Sequence, residues 1–164
     1  MRRSVSVMSV FAIVLWGSTL LVPHVKAQQS ADSGLTDDSL RQMLVNMGYE
    51  PRKLSSGYLI AEKREGMTIS MQLVLSKDGS RLGINANLGS VPDPDSVSAQ
   101  QWRTLLEANT DIDPSAFYFD KNVKKLYIHR SMDNRAISPA VLRKHIDSFC
   151  YAVKSTDKAW SFTK

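Results

Sequence analysis

The sequence has one cysteine, Cys150, among 164 residues, so no intrachain disulfide can form and the fold must be held by its core. Histidine is also scarce, and His24 lies in a predicted signal peptide. His145 and Cys150 are five residues apart, whereas side chains that share a helix face are three or four apart. No Asp-rich calcium loop closed by glutamate and no glycine-rich phosphate loop is present. We therefore expect no metal site and no cofactor.

Little in the sequence points to catalysis. His129, Ser131 and Asp133 have the residue types of a Ser/His/Asp triad, but they lie within five residues of one another, on or just after one predicted strand. Triad members normally meet from separated segments of a chain, and the Gly-x-Ser-x-Gly nucleophile elbow is missing. We interpret the three as surface polar residues, and expect no catalytic residues and no enzymatic activity.

Concentrated positive charge is missing as well. The formal net charge is +5, but three of the 21 basic residues lie within residues 1–27, which leaves 18 basic against 16 acidic residues, a net charge of +2. The remaining basic residues are scattered along the chain. Nucleic-acid binding requires a concentrated basic surface, so we do not expect nucleic acid as a partner.

Residues 1–27 have the pattern of a secretory signal peptide. Arg2 and Arg3 form a basic start, residues 7–22 are largely apolar, and Val25-Lys26-Ala27 fits a cleavage site. The apolar run is shorter than the ~20 residues that a membrane span prefers. We therefore predict cleavage, export to the periplasm or beyond, and no stable membrane span in the mature protein.

The chain after the signal peptide is long enough for one domain and too short for two. Residues 28–34 are polar and are predicted to form a flexible segment. Residues 35–164 are predicted to form the single domain.

Three amphipathic helices are predicted from capping residues and apolar stripes. The first begins after Thr36, the second after a capping box of Ser98 and Gln101, and the third after Ser138 with Pro139 at its first position. The apolar stripes consist of Leu40, Met43, Leu44 and Met47; of Trp102, Leu105 and Leu106; and of Leu142, Ile146, Phe149 and Val153.

Five strands are predicted from alternating apolar and polar residues and from the turns between them. They cover residues 58–64, 67–76 and 81–89, a fourth strand around Phe117 and Phe119, and a fifth from Leu126 to Met132. The Asp78-Gly79 dipeptide is a strong hairpin signal between the second and third strands. The order α-βββ-α-ββ-α predicts an α+β fold, with a single antiparallel five-stranded sheet and three helices.

One face of this sheet is polar but carries no formal charge in the second and third strands, although 23% of all residues are charged. Depletion of charge is typical of the core of a protein interface. The candidate interface combines small, amide and aromatic residues: Ser70, Gln72, Asn85, Asn87, Trp102, Tyr127 and His129. Alternatively, the second helix covers part of this face through Trp102.

The stretch Leu105-Leu106-x-x-Asn109, followed by Phe117-x-Phe119, a short turn and Leu126-x-Ile128, resembles the corresponding region of the YbjN-type bacterial domain. That domain belongs with the type III secretion chaperone-like (Tir chaperone-like) fold. The resemblance covers roughly residues 36–154 and implies a protein-binding module that is often a homodimer and has no catalytic residues.

The resemblance also implies that the third and fifth strands are neighbours, which would place Asn85 and Asn87 beside Tyr127 and His129. We predict an exported, non-enzymatic protein-binding domain of chaperone-like or sensory and regulatory type, dimeric, with a protein partner. The alternatives are a periplasmic hydrolase of unknown type and an envelope structural protein held by an uncleaved N-terminal anchor.

Overall fold

The computed structural model describes residues 34–163, so the predicted signal peptide and most of the predicted flexible segment lie outside the described residues. The helices are α1 (Asp37–Asn46), α2 (Ala99–Ala108) and α3 (Pro139–Ser155), with short 3-10 turns at Pro94–Ser96 and Ser161–Thr163. The strands are β1 (Arg52–Lys53), β2 (Tyr58–Arg64), β3 (Met67–Leu75), β4 (Arg81–Ser90), β5 (Ser115–Asp120) and β6 (Lys125–Asp133). They form one antiparallel sheet in the order β1-β2-β3-β4-β6-β5.

The predicted α+β fold with three helices and one antiparallel sheet is confirmed, but the number of strands was wrong. The sixth strand is β1, a two-residue edge strand in which Arg52 pairs with Leu59 and Lys53 pairs with Tyr58. Two residues are too few to show an alternating pattern, so this strand is created by its pairing with β2 and not by its own sequence.

The predicted helix starts agree with the structure because each depends on local hydrogen bonds. The hydroxyl of Thr36 accepts the N–H of Ser39 at the start of α1, and Ser98 and Gln101 form the predicted capping box of α2. The Ser138 hydroxyl caps α3 in the same way. These bonds satisfy backbone donors that the first helical turn leaves free.

The hydrophobic core lies between the helices and one face of the sheet. Fully buried side chains meet there from α1, α3 and the central strands: Leu40, Leu44, Met71, Leu73, Leu82, Ile84, Leu126, Ile128, Leu142, Ile146 and Phe149. Each contributes ~1.5–3 kcal/mol by leaving water. The C-terminal aromatic residues return to this core as well, since Trp160 is buried and the indole N–H donates to the Val153 carbonyl at 3.3 Å. Within residues 34–163 no helix is long and apolar enough to cross a membrane.

In the described part of the chain, four polar side chains are buried, namely Ser115, Arg130, Asn134 and Thr156, and the two largest of them, Arg130 and Asn134, each make three hydrogen bonds. The Arg130 guanidinium donates to the Ser115 hydroxyl at 3.0 Å, the Ser148 hydroxyl at 3.1 Å and the His145 carbonyl at 3.3 Å. Asn134 bridges the start of the domain to the β3–β4 turn, because its amide bonds both backbone groups of Leu35 and the carbonyl of Gly79. Buried polar groups are tolerated when they are bonded in this way.

Candidate protein-interaction face

The side of the sheet away from the core, here called the open face, is not covered by any helix among residues 34–163. The helices contact the other side: α1 through the bond of Asp37 to Tyr58, and α2 through the packing of Trp102 on Phe119. The open face is formed by the alternate residues of four central and edge strands: Thr68, Ser70, Gln72, Val74, Gly83, Asn85, Asn87, Ala116, Tyr118, Tyr127, His129 and Ser131.

Strand register brings six of the seven predicted interface residues together on the open face. Asn85 pairs with Gln72 on one side and with His129 on the other, and Asn87 pairs with Tyr127. The predicted neighbourhood of these strands is therefore confirmed. Ser70 lies two residues from Gln72 on the same strand and points to the same face.

Trp102, the seventh predicted residue, lies on the opposite side of the sheet. Its ring packs edge-on against Phe119 at 5.7 Å and Phe162 at 5.4 Å between centroids. Leu105 of the same predicted stripe is buried, so this part of the stripe faces the core, whereas Leu106, which was also predicted to belong to it, is 65% exposed. The alternative in which the second helix covers the polar face is therefore wrong.

His129 and Asn85 form a hydrogen bond at the centre of the open face. His129 Nδ1 lies 2.7 Å from Asn85 Oδ1. The amide oxygen can only accept, so Nδ1 carries the proton and donates. Burial of the imidazole, with the positive charge of Arg81 nearby, lowers the pKa of His129 below its usual value. The ring is therefore neutral at pH 7, and the face has no charge at this position.

Two tyrosines form an aromatic platform on β5 and β6. Tyr118 stacks on Tyr127 with 5.2 Å between ring centroids and 12° between planes, and it meets His129 edge-on at 6.4 Å. Tyr118 is 44% exposed, although large aromatic side chains are usually more buried. The sequence analysis missed Tyr118, although it lies between the inward-facing Phe117 and Phe119 and must therefore point outward.

Charged residues lie only around the rim of the open face. Arg81 donates from Nε to the Ser131 hydroxyl at 2.7 Å, and Asp133 is held by Arg135. The other rim charges are Arg52 on the edge strand β1, and Lys63, Asp120 and Lys125 at or near strand ends. A neutral centre within a charged rim is the usual anatomy of a protein–protein interface.

The triad residue types do not combine into a catalytic site. His129 is bonded to Asn85, the Ser131 hydroxyl accepts from Arg81, and the guanidinium of Arg135 holds the pKa of Asp133 well below its usual range. The three point to the same face, but each has a different partner. The structure therefore agrees with their interpretation as surface polar residues.

The thiol of Cys150 is equally unsuited to chemistry, because burial and the nearby negative charge of Glu62 raise its pKa to about 11. Thiolate, not thiol, is the reactive form of cysteine. Among residues 34–163, no three His, Cys, Asp or Glu side chains lie close enough together to hold a metal ion.

The fold is similar to that of several solved structures. A chain of the ExsC–ExsE complex matches with a TM-score of 0.53 at 13% identity, over 74% of this chain and 90% of that chain. YbjN from E. coli matches with a TM-score of 0.52 at 13% identity, over 76% of this chain and 93% of that chain. A chain of the HopA1–SchA chaperone–effector complex matches with a TM-score of 0.49 at 10% identity, over 70% and 86%.

The fold implied by the sequence resemblance, that of the YbjN-type domain, is confirmed by the matches to YbjN and to a chain of the ExsC–ExsE complex. No protein-family model matches the sequence. No curated protein matches it either.

Proposed function

We propose that the protein is an exported, non-enzymatic protein-binding domain, and that the open face is its interaction surface. The observation that carries this proposal is the neutral centre of an uncovered sheet face. An ordinary solvated surface is rich in Lys, Arg and Glu, whereas interface cores are depleted of charge and enriched in Tyr. Tyr127 lies at this centre and Tyr118 stacks on it from the edge strand β5, beside amide side chains that can both donate and accept hydrogen bonds.

The occupant that the open face fits best is a second copy of the chain. A two-fold contact brings the same surface patch against itself, so every like charge in the patch would be repelled by its copy. The centre of the open face has no such charge, and its amides (Gln72, Asn85 and Asn87) are complementary to themselves. The similarity in fold to a chain of the ExsC–ExsE complex, which joins two proteins, is consistent with a protein-binding role.

A charge placed at the centre of the open face tests this proposal. In Asn85→Lys, the ammonium group would be desolvated in the dimer without a partner, which costs several kcal/mol, and we expect dimer affinity to fall at least tenfold. Asn122→Lys, in the exposed turn between β5 and β6, is the matched control and should associate like the parent. Sedimentation velocity over a range of concentrations measures both.

Thermal melts check that both variants remain folded, because Asn85→Lys also removes the hydrogen bond to His129, whereas a substitution in the exposed turn usually changes stability by only about ±0.5 kcal/mol. A parent protein that remains monomeric at all concentrations would overturn the dimer. Unchanged association of Asn85→Lys would show that the dimer uses another surface.

Export is tested by the mass of the protein isolated from its host. Cleavage of the predicted signal peptide gives a chain that begins near Gln28 and fractionates away from the membrane. Recovery of the uncleaved chain in the membrane fraction would instead support the alternative of an anchored envelope protein.

A further inference from the structure

The pairing of β3 with β4 stops halfway along both strands. The register runs from the β3–β4 turn to Gln72 and Asn85 and ends there. Yet β3 begins at Met67 and β4 continues to Ser90. Because β3 remains paired with β2 and β4 with β6, the two strands separate inside the sheet. The space between them, here called the cleft, has a volume of about 340 Å³.

A β-bulge and the C-terminal segment hold the cleft open. The register of β4 against β6 shifts between Asn87 and Gly89, and a bulge of this kind bends its strand. The Thr163 hydroxyl donates to the Leu88 carbonyl at 2.9 Å. A Cβ at Gly89 would lie only 2.5 Å from the Thr163 carbonyl oxygen, and the φ of Gly89 is +149°. Glycine is therefore required at the bend, and the cleft is built into the fold.

Unpaired ladder positions line both sides of the cleft. In an antiparallel pair, alternate residues direct both backbone groups to the same neighbour. The N–H of Ser76 donates to the carbonyl of Arg81 at 2.9 Å, so the even-numbered residues of β3 face β4. This alternation aims the N–H and C=O groups of Ser70 and Asn87 into the cleft, beyond the point where the β3–β4 ladder ends.

The cleft has a polar mouth and an apolar floor. Its mouth is formed on the open face by Thr68, Ser70 and Asn87, and none of the lining residues is charged. Its floor is formed by side chains that are buried in the core: Ile69, Ala86, Leu88, Val153 and Trp160.

An extended peptide has the chemistry that matches this arrangement. Its N–H and C=O groups alternate between its two edges, so it can pair with both β3 and β4, and its side chains alternate between the two faces of the sheet. We propose that the cleft binds an extended, uncharged segment of a partner protein as an inserted strand, with apolar side chains directed at Val153 and Trp160.

This proposal rests on the protein-binding function proposed above and specifies the chemistry of the partner. The inserted strand lies in the plane of the sheet, so it continues the open face and does not cover it. The outer edges of the sheet have fewer free backbone groups with which a peptide could pair. On one edge β1 has only two residues, and on the other the N–H of Phe117 on β5 is already bonded to the Asn109 side chain at 2.7 Å.

Amide hydrogen exchange followed by NMR tests the unpaired ladder positions directly. In the free protein, expressed from its full-length coding sequence, the amides of Ser70 and Asn87 should exchange at least 100-fold faster than that of Met71, which pairs with β2. If the amides of Ser70 and Asn87 are protected as strongly as that of Met71, their backbone groups are already hydrogen-bonded and cannot pair with a peptide. The proposal is then overturned.

A displayed library of random eight-residue peptides tests binding. Peptides that the protein selects should be uncharged at their centre, and on binding they should slow the exchange of the Ser70 and Asn87 amides. Ala86→Leu fills the cleft from its floor and should weaken a selected peptide at least tenfold. Ala140→Leu, at an exposed position of α3 outside the cleft lining, is the matched control and should bind like the parent.

Ser70→Pro is a second blocking variant, needed in case Ala86→Leu does not fold. It removes an N–H that has no ladder partner, so the fold should tolerate it while peptide affinity falls at least tenfold. The proposal is overturned if the library yields no binder, or if both blocking variants that fold bind the selected peptide as the parent does.

The proposals for the cleft and for the open face can be rejected independently of each other. Peptide binding that is lost in Ala86→Leu and kept in Asn85→Lys supports the cleft, whatever the oligomeric state. A dimer that Asn85→Lys disrupts, in a protein that selects no peptide, supports the open face and rejects the cleft.

Discussion

The two faces of the sheet treat charge in opposite ways. The covered face contains Arg130, a permanent cation that is only 2% exposed, whereas the centre of the open face has no charge although water could solvate one there. Arg130 is tolerated because Ser115, Ser148 and the His145 carbonyl accept its hydrogen bonds at fixed positions. Burial of the guanidinium lowers its pKa, but an arginine remains protonated throughout the physiological range.

Solvent exposure alone therefore does not explain where charged residues occur on the two faces of the sheet. A face that met only water would gain solubility from charged side chains and lose nothing. The neutral centre is explained if it becomes buried against another molecule, because an unpaired charge would then oppose binding. The covered face is already buried, because the helices of the same chain pack against it.

Neighbouring residues of β6 give the largest test of this comparison, since Ile128 points to the core and Tyr127 to the open face. Ile128→Ala should lower the free energy of unfolding by ~2–5 kcal/mol, because it removes a fully buried side chain. Tyr127→Ala should cost less: ~0.5–1.5 kcal/mol for its stacking on Tyr118, and a burial contribution that is only partial because the side chain is half-buried. Urea titration of both variants, at a protein concentration low enough to keep them monomeric, measures these costs.

An equal loss of stability in the two β6 variants would mean that the open face is already packed within the monomer. In that case the comparison between a covered and an open face would not hold. An effect of Tyr127→Ala on dimer affinity, with little effect on unfolding, would strengthen it.

Arg130→Met tests the charged side of the comparison and should have an intermediate effect. The change keeps most of the side-chain volume but removes three hydrogen bonds and leaves the Ser115 hydroxyl buried without its donor, which should cost ~1–3 kcal/mol. Arg103→Met, on the exposed surface of α2, is the control and should stay within about ±0.5 kcal/mol. A more stable Arg130→Met protein would show that the buried cation is retained for a reason other than stability.

The parts of the fold that depend on hydrogen bonds between residues close in sequence could be predicted from the sequence. Thr36, Ser98 and Ser138 cap the three helices through contacts only three residues away, so the chain itself carries the signal. The side on which a helix docks is not local. Trp102 has the same neighbours in sequence whichever face it covers, and its contact with Phe162 joins residues 60 positions apart.

The open face could be predicted in part from the sequence, whereas the cleft could not. Alternation along β3, β4 and β6 identified the amides, and the same alternation would have identified Tyr118 had it been applied to β5. The cleft depends on a bulge at Gly89 and on the return of Thr163 to Leu88. Neither follows from the pattern of polar and apolar residues in the strands.

The smallest expected effect concerns pH. Burial lowers the pKa of His129 in the folded protein, so the unfolded chain binds the proton more tightly and stability falls as pH drops below ~6.5, the unfolded-state value. Dimerisation over the open face would bury the ring further and oppose its charging in the same way. We therefore expect dimer affinity to weaken a few-fold between pH 7.5 and pH 5.5, measured by sedimentation. His129→Gln can still donate to Asn85 and should abolish most of this dependence, whereas His145→Gln, on α3 beneath the covered face, should leave it intact. A pH dependence that survives in His129→Gln would place the titrating group outside the open face, and the neutrality of this face would then not be what governs association.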